Sequence, residues 1–242
     1  MAAERLDRWL VEHGLVETRQ KAQALIMAGE VLIDGQRAAK AGQMVPPEAH
    51  VELTAKPRFV GRGGIKLAAA LEAFAIDVTG CVCADFGAST GGFTDCLLQA
   101  GVARVHAIDV GTGQLDWKLR TDPRVILHDG VNARYLEPSD LGEAIDLAVC
   151  DVSFISATLI LPVMAKVLKP ETGRIVVLVK PQFEVGRGQV GKGGIVRDPA
   201  LHEEACAKIR ACAEALGFDT QLTESPIAGA EGNKEFLLYG RR

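Results

Sequence analysis

The residues with the most chemical promise sit at the carboxyl ends of apolar runs. Lys180 directly follows Ile175–Val179, and Asp151 directly follows Leu147–Cys150. A lysine delivered there is hard to explain as core packing, since lysine is seldom buried without a partner. It can serve as a general base if burial or neighbouring charge brings its pKa to about 7–8, and a carboxylate on the preceding strand can orient it. The competing reading is a structural ion-pair cluster at the sheet edge.

A third apolar run, Cys81–Phe86, leads into Asp85-Phe86-Gly87-Ala88-Ser89-Thr90-Gly91-Gly92-Phe93. Glycines at a strand-to-helix turn let a ligand approach the backbone closely. The spacing is neither that of a dinucleotide fingerprint nor that of a P-loop, which disfavours both ligands. An acid before such a turn suits a cationic methyl donor: Asp85 would balance positive charge, and Gly87 would leave room for the amino acid moiety. Ala88, Ser89, Gly91 and Gly92 complete the candidate cradle. Asp109 ends the next strand, where a carboxylate can accept both hydroxyls of a ribose. Asp129 ends the one after and could accept from an adenine amino group. For each acid the alternative is a turn residue or helix cap.

These residues need a scaffold. Cys81–Phe86, Val105–Ile108, Val125–His128, Leu147–Cys150 and Ile175–Val179 read as strands buried on both faces of a parallel sheet. Helical segments alternate with them at Gly92–Ala100, Gly113–Leu119, Pro138–Leu141, Ser156–Leu168 and Pro199–Leu216. The pattern predicts a doubly wound, Rossmann-like α/β domain with its ligand site beyond the strand ends. Ahead of it, Arg5–His13 and a segment capped by Thr18 read as short helices, and Val31–Ile33 and Val51–Leu53 as strands. The expected division is a small α+β domain over 1–54, a linker over 55–60 and the α/β domain over 61–242.

The motif D-x-G-A-S-T-G-G-F-T-D, together with Gly61-Arg62-Gly63-Gly64-Ile65-Lys66-Leu67, Gly113-Gln114-Leu115, Asp151-Val152-Ser153-Phe154-Ile155-Ser156 and Val179-Lys180-Pro181-Gln182-Phe183-Glu184-Val185-Gly186, strongly resembles the TlyA family. The N-terminal R-L-D-x-x-L and T-R-x-x-A-x-x-L-I-x-x-G-x-V-x-I-D-G patterns resemble an S-four-type RNA-binding domain. The family usually has Ser where this chain has Gly61. The resemblance implies a class I methyltransferase domain using S-adenosyl-L-methionine. It also implies 2′-O-methylation of ribose, with cytidine in ribosomal RNA as the expected target and a ribosomal subunit as the expected partner. The FtsJ-like class uses a Lys-Asp-Lys-Glu set, which by motif falls on Lys66, Asp151, Lys180 and Glu235. Lys234 rivals Glu235 for the inward-facing position in what reads as a last, antiparallel strand. The implied RNA contacts are Arg5, Arg8, Arg19, Lys21, Arg37 and Lys40 in the first domain. Arg62 and the glycine-rich segment's Arg187 and Lys192 add to them in the second. Phe154 or Phe183 could stack on a flipped target base.

Composition sets the boundaries. The net charge of −4 argues weakly against a nucleic-acid partner, yet residues 1–62 carry nine Lys/Arg against eight Asp/Glu while the remainder carries the acidic excess. Six cysteines without C-x-x-C spacing read as reduced core residues, and His202 with Cys206 is too few ligands for zinc. No metal is expected. The charge-free run Val152–Ala165 is too short to span a bilayer and contains Pro162. The N-terminal residues lack a signal-peptide core, so a cytoplasmic location is expected. Three other functions compete. Base-amine methylation would favour prolines after Asp151, a haemolysin would need a membrane-compatible segment, and a non-catalytic RNA-binding factor would not need the strand-end residues.

Overall fold

The structure, a computed structural model, describes residues 3–27, 29–54, 58–229 and 231–242. Contacts divide the chain into two units, Met1–Arg58 and Phe59–Arg242. Residues 55–57 of the expected linker lie outside the described residues; Phe59 and Val60 pack with the second unit's core.

In the first unit, helices α1 (Leu6–Glu12) and α2 (Arg19–Met27) carry Leu6, Leu10, Ala22 and Ile26 at helical spacing. These side chains close over Val31, Ile33, Val45 and Val51 to form one small core. The Thr18 hydroxyl accepts the Lys21 N–H at 3.2 Å and caps α2. Strand β1 (Glu4–Arg5) pairs with β4 (Met44–Val45), and β2 (Val31–Ile33) lies between β3 (Gln36–Arg37) and β5 (Val51–Leu53), all antiparallel.

Asp7 is fully buried and accepts from Arg5 at 3.1 Å, Gln23 at 3.0 Å and Arg19 at 2.8 Å. Hydrogen bonds from Arg5, reinforced by Gln23 and Arg19, hold its carboxyl well below the usual range despite burial. Arg5 and Arg19 therefore do more than face solvent: each neutralises a charge the small core could not otherwise bury.

The second unit is a seven-stranded sheet in the order β11-β12-β10-β9-β6-β7-β8. Strands β6 (Val82–Phe86), β7 (Arg104–Asp109), β8 (Val125–Asp129), β9 (Leu147–Cys150) and β10 (Arg174–Val179) are parallel. β11 (Asp219–Glu224) and β12 (Phe236–Arg241) complete one edge antiparallel. Helices α3 (Gly63–Ala73), α4 (Gly92–Gln99) and α5 (Trp117–Arg120) accompany the half of the sheet that starts at β6. The other helices are α6 (Pro138–Leu141), α7 (Leu161–Val167), α8 (Pro181–Glu184) and α9 (Pro199–Ala215). Two large apolar clusters lie on the sheet. One is centred on Phe86, Ile108, Ile160 and Ile209, the other on Leu67, Leu97, Val105 and Leu178. Strand direction reverses its winding between β6 and β9, which opens a crevice at their carboxyl ends.

Three local expectations are corrected. The helix expected from Gly113 begins only at Trp117, because Gly113 takes φ +69° and the Asp116 side chain caps the helix by accepting the Lys118 N–H at 2.9 Å. The segment Ser156–Leu168 is split: Ser156 caps a 3-10 turn over Ala157–Leu159, and Pro162 sits in the first turn of α7. The last strand starts at Phe236, so Lys234 and Glu235 lie in the irregular segment that leads into it.

Candidate active site

The crevice beyond β6, β7 and β9 holds a cleft of about 470 Å³. Its walls include Gly87 and Ser89 after β6, Asp109 and Val110 at the end of β7, Gln114, and Asp151–Ile155 after β9. Gly87 has φ +86°, and a Cβ there would meet the Asp151 carbonyl oxygen at 2.9 Å. Only glycine fits a left-handed position so close to a neighbouring backbone. The glycine is thus required by the close packing of this turn against the chain after β9. The Asp109 carboxylate accepts the Ser89 N–H and the Gly111 N–H, each at 2.7 Å. Two bonds leave lone pairs on both oxygens for a diol, and Asp109 lines the cleft.

A smaller hollow of about 170 Å³ follows, walled by Gly61, Arg62, Ala88, Gly92, Asp151 and Lys180 among others. A third, about 460 Å³, is lined by Lys66, Ser153, Lys180 and Glu235 with a loop wall beyond them. Lys180 is 9% exposed, and its Nζ lies 2.6 Å from Asp151 Oδ1 in an ion pair poorly aligned for a hydrogen bond. The same Nζ donates to Ser153 Oγ at 2.8 Å. An ammonium has three N–H groups, so these contacts leave at least one for a ligand. Lys66, early in α3, forms a buried ion pair with Glu235. The four residues thus stand as two ion pairs, with Lys180 and Ser153 on the walls of both smaller hollows.

The loop after β9 is clasped at both ends. Lys180 holds Asp151 and Ser153. Glu184, at the end of α8, accepts the Ser156 hydroxyl at 2.5 Å, the Ala157 N–H at 2.7 Å and Lys208 Nζ at 3.1 Å. Between these grips Phe154 takes φ +68° and stands 88% exposed, its ring 5.3 Å from that of Phe183. A non-glycine residue at positive φ costs about 1 kcal/mol or more and persists only where neighbours enforce it.

The glycine-rich segment 186–194 is not free of structure. It forms two 3-10 turns, Arg187–Gln189 and Lys192–Gly194. Buried Asn233 donates to the Gly194 carbonyl at 2.9 Å and accepts the Val196 N–H at 2.9 Å, and His202 contacts the Val196 carbonyl at 2.9 Å. His202 is therefore a loop anchor, and among the described residues no cluster of three or more His, Cys, Asp or Glu could hold a metal ion.

Several expected contacts are not where the motif order suggested. Asp85 is fully buried and accepts the Thr94 hydroxyl at 2.7 Å, while its other oxygen has no partner among the described residues. Burial, with the nearby Asp151 charge adding and Thr94 opposing, raises its carboxyl to about 7. It underlies the cradle rather than lining it. Gly91 also lies behind the cleft: a Cβ there would strike Leu119 Cδ1 at 2.2 Å, so the position serves helix packing. Asp129 is turned aside, accepting the Gly113 N–H at 3.1 Å with Arg120 at 3.9 Å. The residues that do line the cleft after β8 are Val131, Asn132, Ala133 and Arg134. Nothing in their spacing marks them; only the turn after Asp129 brings them round.

Of the expected RNA contacts, Arg8, Lys21, Arg37 and Lys40 are exposed on the first unit, with Lys21 paired to Glu17 at 3.4 Å. Arg62 is exposed and donates to the Ala228 carbonyl at 2.7 Å. Lys192 is exposed, and the Arg187 side chain lies outside the described atoms.

Residues 59–242 match the model of the FtsJ-like methyltransferase family, and residues 4–51 that of the S4 domain. The chain is 46% identical over 240 residues to the 16S/23S rRNA (cytidine-2′-O)-methyltransferase TlyA of Mycobacterium tuberculosis, covering 98% of this chain and 89% of that protein. The chain belongs to the TlyA family. It is an S-adenosylmethionine-dependent methyltransferase with an S4 domain ahead of its Rossmann-like catalytic domain. Hemolysin A of Brachyspira hyodysenteriae is 42% identical over 241 residues, covering 97% of this chain and 98% of that one. A solved Streptococcus thermophilus structure that also carries the name hemolysin has 45% identity and a TM-score of 0.76, covering 100% of this chain and 89% of its own. Among the described residues no helix is long and apolar enough to cross a membrane.

Proposed function

We propose that the chain methylates the 2′-hydroxyl of a cytidine ribose in ribosomal RNA. The observation that carries this reading is the meeting of Lys180, Asp151 and Ser153 with the Lys66–Glu235 pair where the large cleft gives way to the two smaller hollows. A base-amine methyltransferase does not need paired lysines, whereas a ribose hydroxyl is a poor nucleophile and must lose its proton as it attacks. S-adenosylmethionine, when bound, supplies an electrophilic methyl group. Asp109 holds its ribose, and the backbone around Gly87 accommodates its amino acid end. Lys180, in its neutral form, takes the 2′-hydroxyl proton at Nζ, and Asp151 and Ser153 hold the resulting ammonium. The Lys66–Glu235 pair keeps a second ammonium beside the developing alkoxide. Phe154, projecting from its clasped loop, stacks on the target base. The exposed cations Arg8, Lys21, Arg37 and Lys40 of the S4 domain, with Arg62, Arg187 and Lys192 on the catalytic domain, bind RNA phosphates.

The test is to incubate the full chain and tritiated methyl donor with ribosomal subunits from cells lacking the gene. The RNA is then digested and its nucleosides identified by mass spectrometry. The expected product is 2′-O-methylcytidine. Label on a base nitrogen or carbon would overturn the proposal.

A further inference from the structure

The hollow that contains Lys66, Lys180 and Glu235 has another wall with no part in the proton transfer described above. It consists of Gln182, Phe183, Val190, Gly194 and Glu231, with Phe154 alongside. At about 460 Å³ the hollow is of small-molecule size, within the ~300–1,000 Å³ typical of ligand sites. Gln182 Oε1 is buried in this wall and has no hydrogen-bond partner among the described residues. Buried acceptors without a donor are rare in folded proteins. Two residues before it, Lys180 holds Asp151 and Ser153, so the orphaned oxygen sits on the short helix that the reacting group directly precedes.

We propose that Gln182 reads the exocyclic amino group of the target base. The inference rests on the ribose-methylation reading and deepens it. The base is joined to C1′, the neighbour of C2′. A ribose with its 2′-oxygen at Lys180 therefore has its base within reach of this hollow, which Lys180 lines. Phe154 and Phe183 offer ring faces for stacking there. Three groups on this wall call for a donor from the ligand: Gln182 Oε1 is an unfilled acceptor, the Glu231 carboxylate only accepts, and Glu235 is already held by Lys66. Cytosine presents an N4 amine, which donates; uracil presents O4 at that place, an acceptor against an acceptor. The hollow thus selects an amino-bearing pyrimidine by leaving the other one's oxygen unpaired.

The experiment uses the full chain and ribosomal subunits from cells lacking the gene. The methylated position is mapped first, and subunits are prepared with either cytidine or uridine at that position. Single-turnover methyl transfer is measured with wild type, Gln182→Leu and Gln182→Glu, and calorimetry checks that each variant still binds S-adenosylmethionine. Wild type is expected to favour cytidine by roughly 10–100-fold, the range for one buried hydrogen bond made or lost. Gln182→Leu should lose most of that preference, chiefly by slowing transfer to cytidine. Gln182→Glu keeps an acceptor and should keep the preference. An unchanged cytidine-to-uridine ratio in an active Gln182→Leu enzyme would overturn the assignment; if that variant does not fold, loss of the preference in Gln182→Glu would do so. Wild-type label found on a base rather than a ribose would instead refute the ribose-methylation reading, and the base pocket with it.

Discussion

Replacing Lys180 separates general-base chemistry from electrostatics. Its Nζ has two protein partners, Asp151 at 2.6 Å and Ser153 at 2.8 Å, and the residue is 9% exposed. Lys180→Ala removes both contacts and leaves Asp151 without its cation. The Asp151 side chain is 22% exposed, however, so water from the cleft can solvate the carboxylate. The stability loss should then be about 1–3 kcal/mol, the cost of a charge-assisted hydrogen bond rather than of a wholly buried charge. Methyl transfer should fall at least ~10²-fold, equivalent to about 2.7 kcal/mol of activation free energy. Lys180→Arg restores a positive charge beside Asp151, but a guanidinium cannot give up a proton near neutral pH. It should recover stability and leave transfer slow. The assay is single-turnover methylation with tritiated donor across pH, with donor affinity measured by calorimetry. A Lys180→Arg enzyme with near-normal rate would refute the base role and reduce Lys180 to a fixed charge.

Asp109→Ala should weaken S-adenosylmethionine binding by about 1–3 kcal/mol by calorimetry, because the residue lines the cleft with lone pairs to spare. Lys66→Met should destabilise the fold by about 3–5 kcal/mol, since Glu235 is 3% exposed and would keep an unpaired charge. The double variant Lys66→Met/Glu235→Leu should regain most of that in denaturant melts while remaining slow in transfer. For Asp85 the folded protein keeps the proton up to about pH 7, whereas the unfolded chain releases it near 3.8. Its contribution is therefore fully present below about pH 4 and is lost as pH rises through 7. Asp85→Asn retains an acceptor for Thr94 and cannot ionise. Its melting temperature relative to wild type should climb between pH 4 and 7 and then level off, and a difference independent of pH would show that Asp85 is not the titrating group.

The central strands were readable because both sheet faces are covered there, which turns β9 and all but the first residue of β10 into uninterrupted apolar runs whose ends are obvious. That suffices to find Asp151 and Lys180, each next to a strand end. It fails one turn later. Asp85 and Asp129 have strand-end positions too, yet the side-chain alternation of β6 buries one, and the Gly113 backbone captures the other. Gln114, Asn132 and Arg134 reach the cleft through loops with no periodicity to betray them. The antiparallel β11 is half-exposed and polar, DTQLTE, so it lacks the apolar signature of its neighbours. Glu184 lay within a recognised motif, but its grip on Ser156 and Ala157 depends on a contact across 27 or more residues, which composition does not encode.

Asn233 joins two pieces of chain that the fold could have left independent. Its amide holds Gly194 and Val196 on one side, and its backbone leads two residues later to Glu235 on the other. An amide is a donor and an acceptor in one planar group, and both halves are in use. Replacing that amide by a carboxylate, as in Asn233→Asp, would nearly keep the shape but set an anion against the Gly194 carbonyl. The downstream end of the glycine-rich segment and the stretch bearing Glu235 would come loose together. A lapse in a single side chain, more than five residues from any strand that builds the crevice except β12, would then degrade both the wall of the hollow and the partner of Lys66.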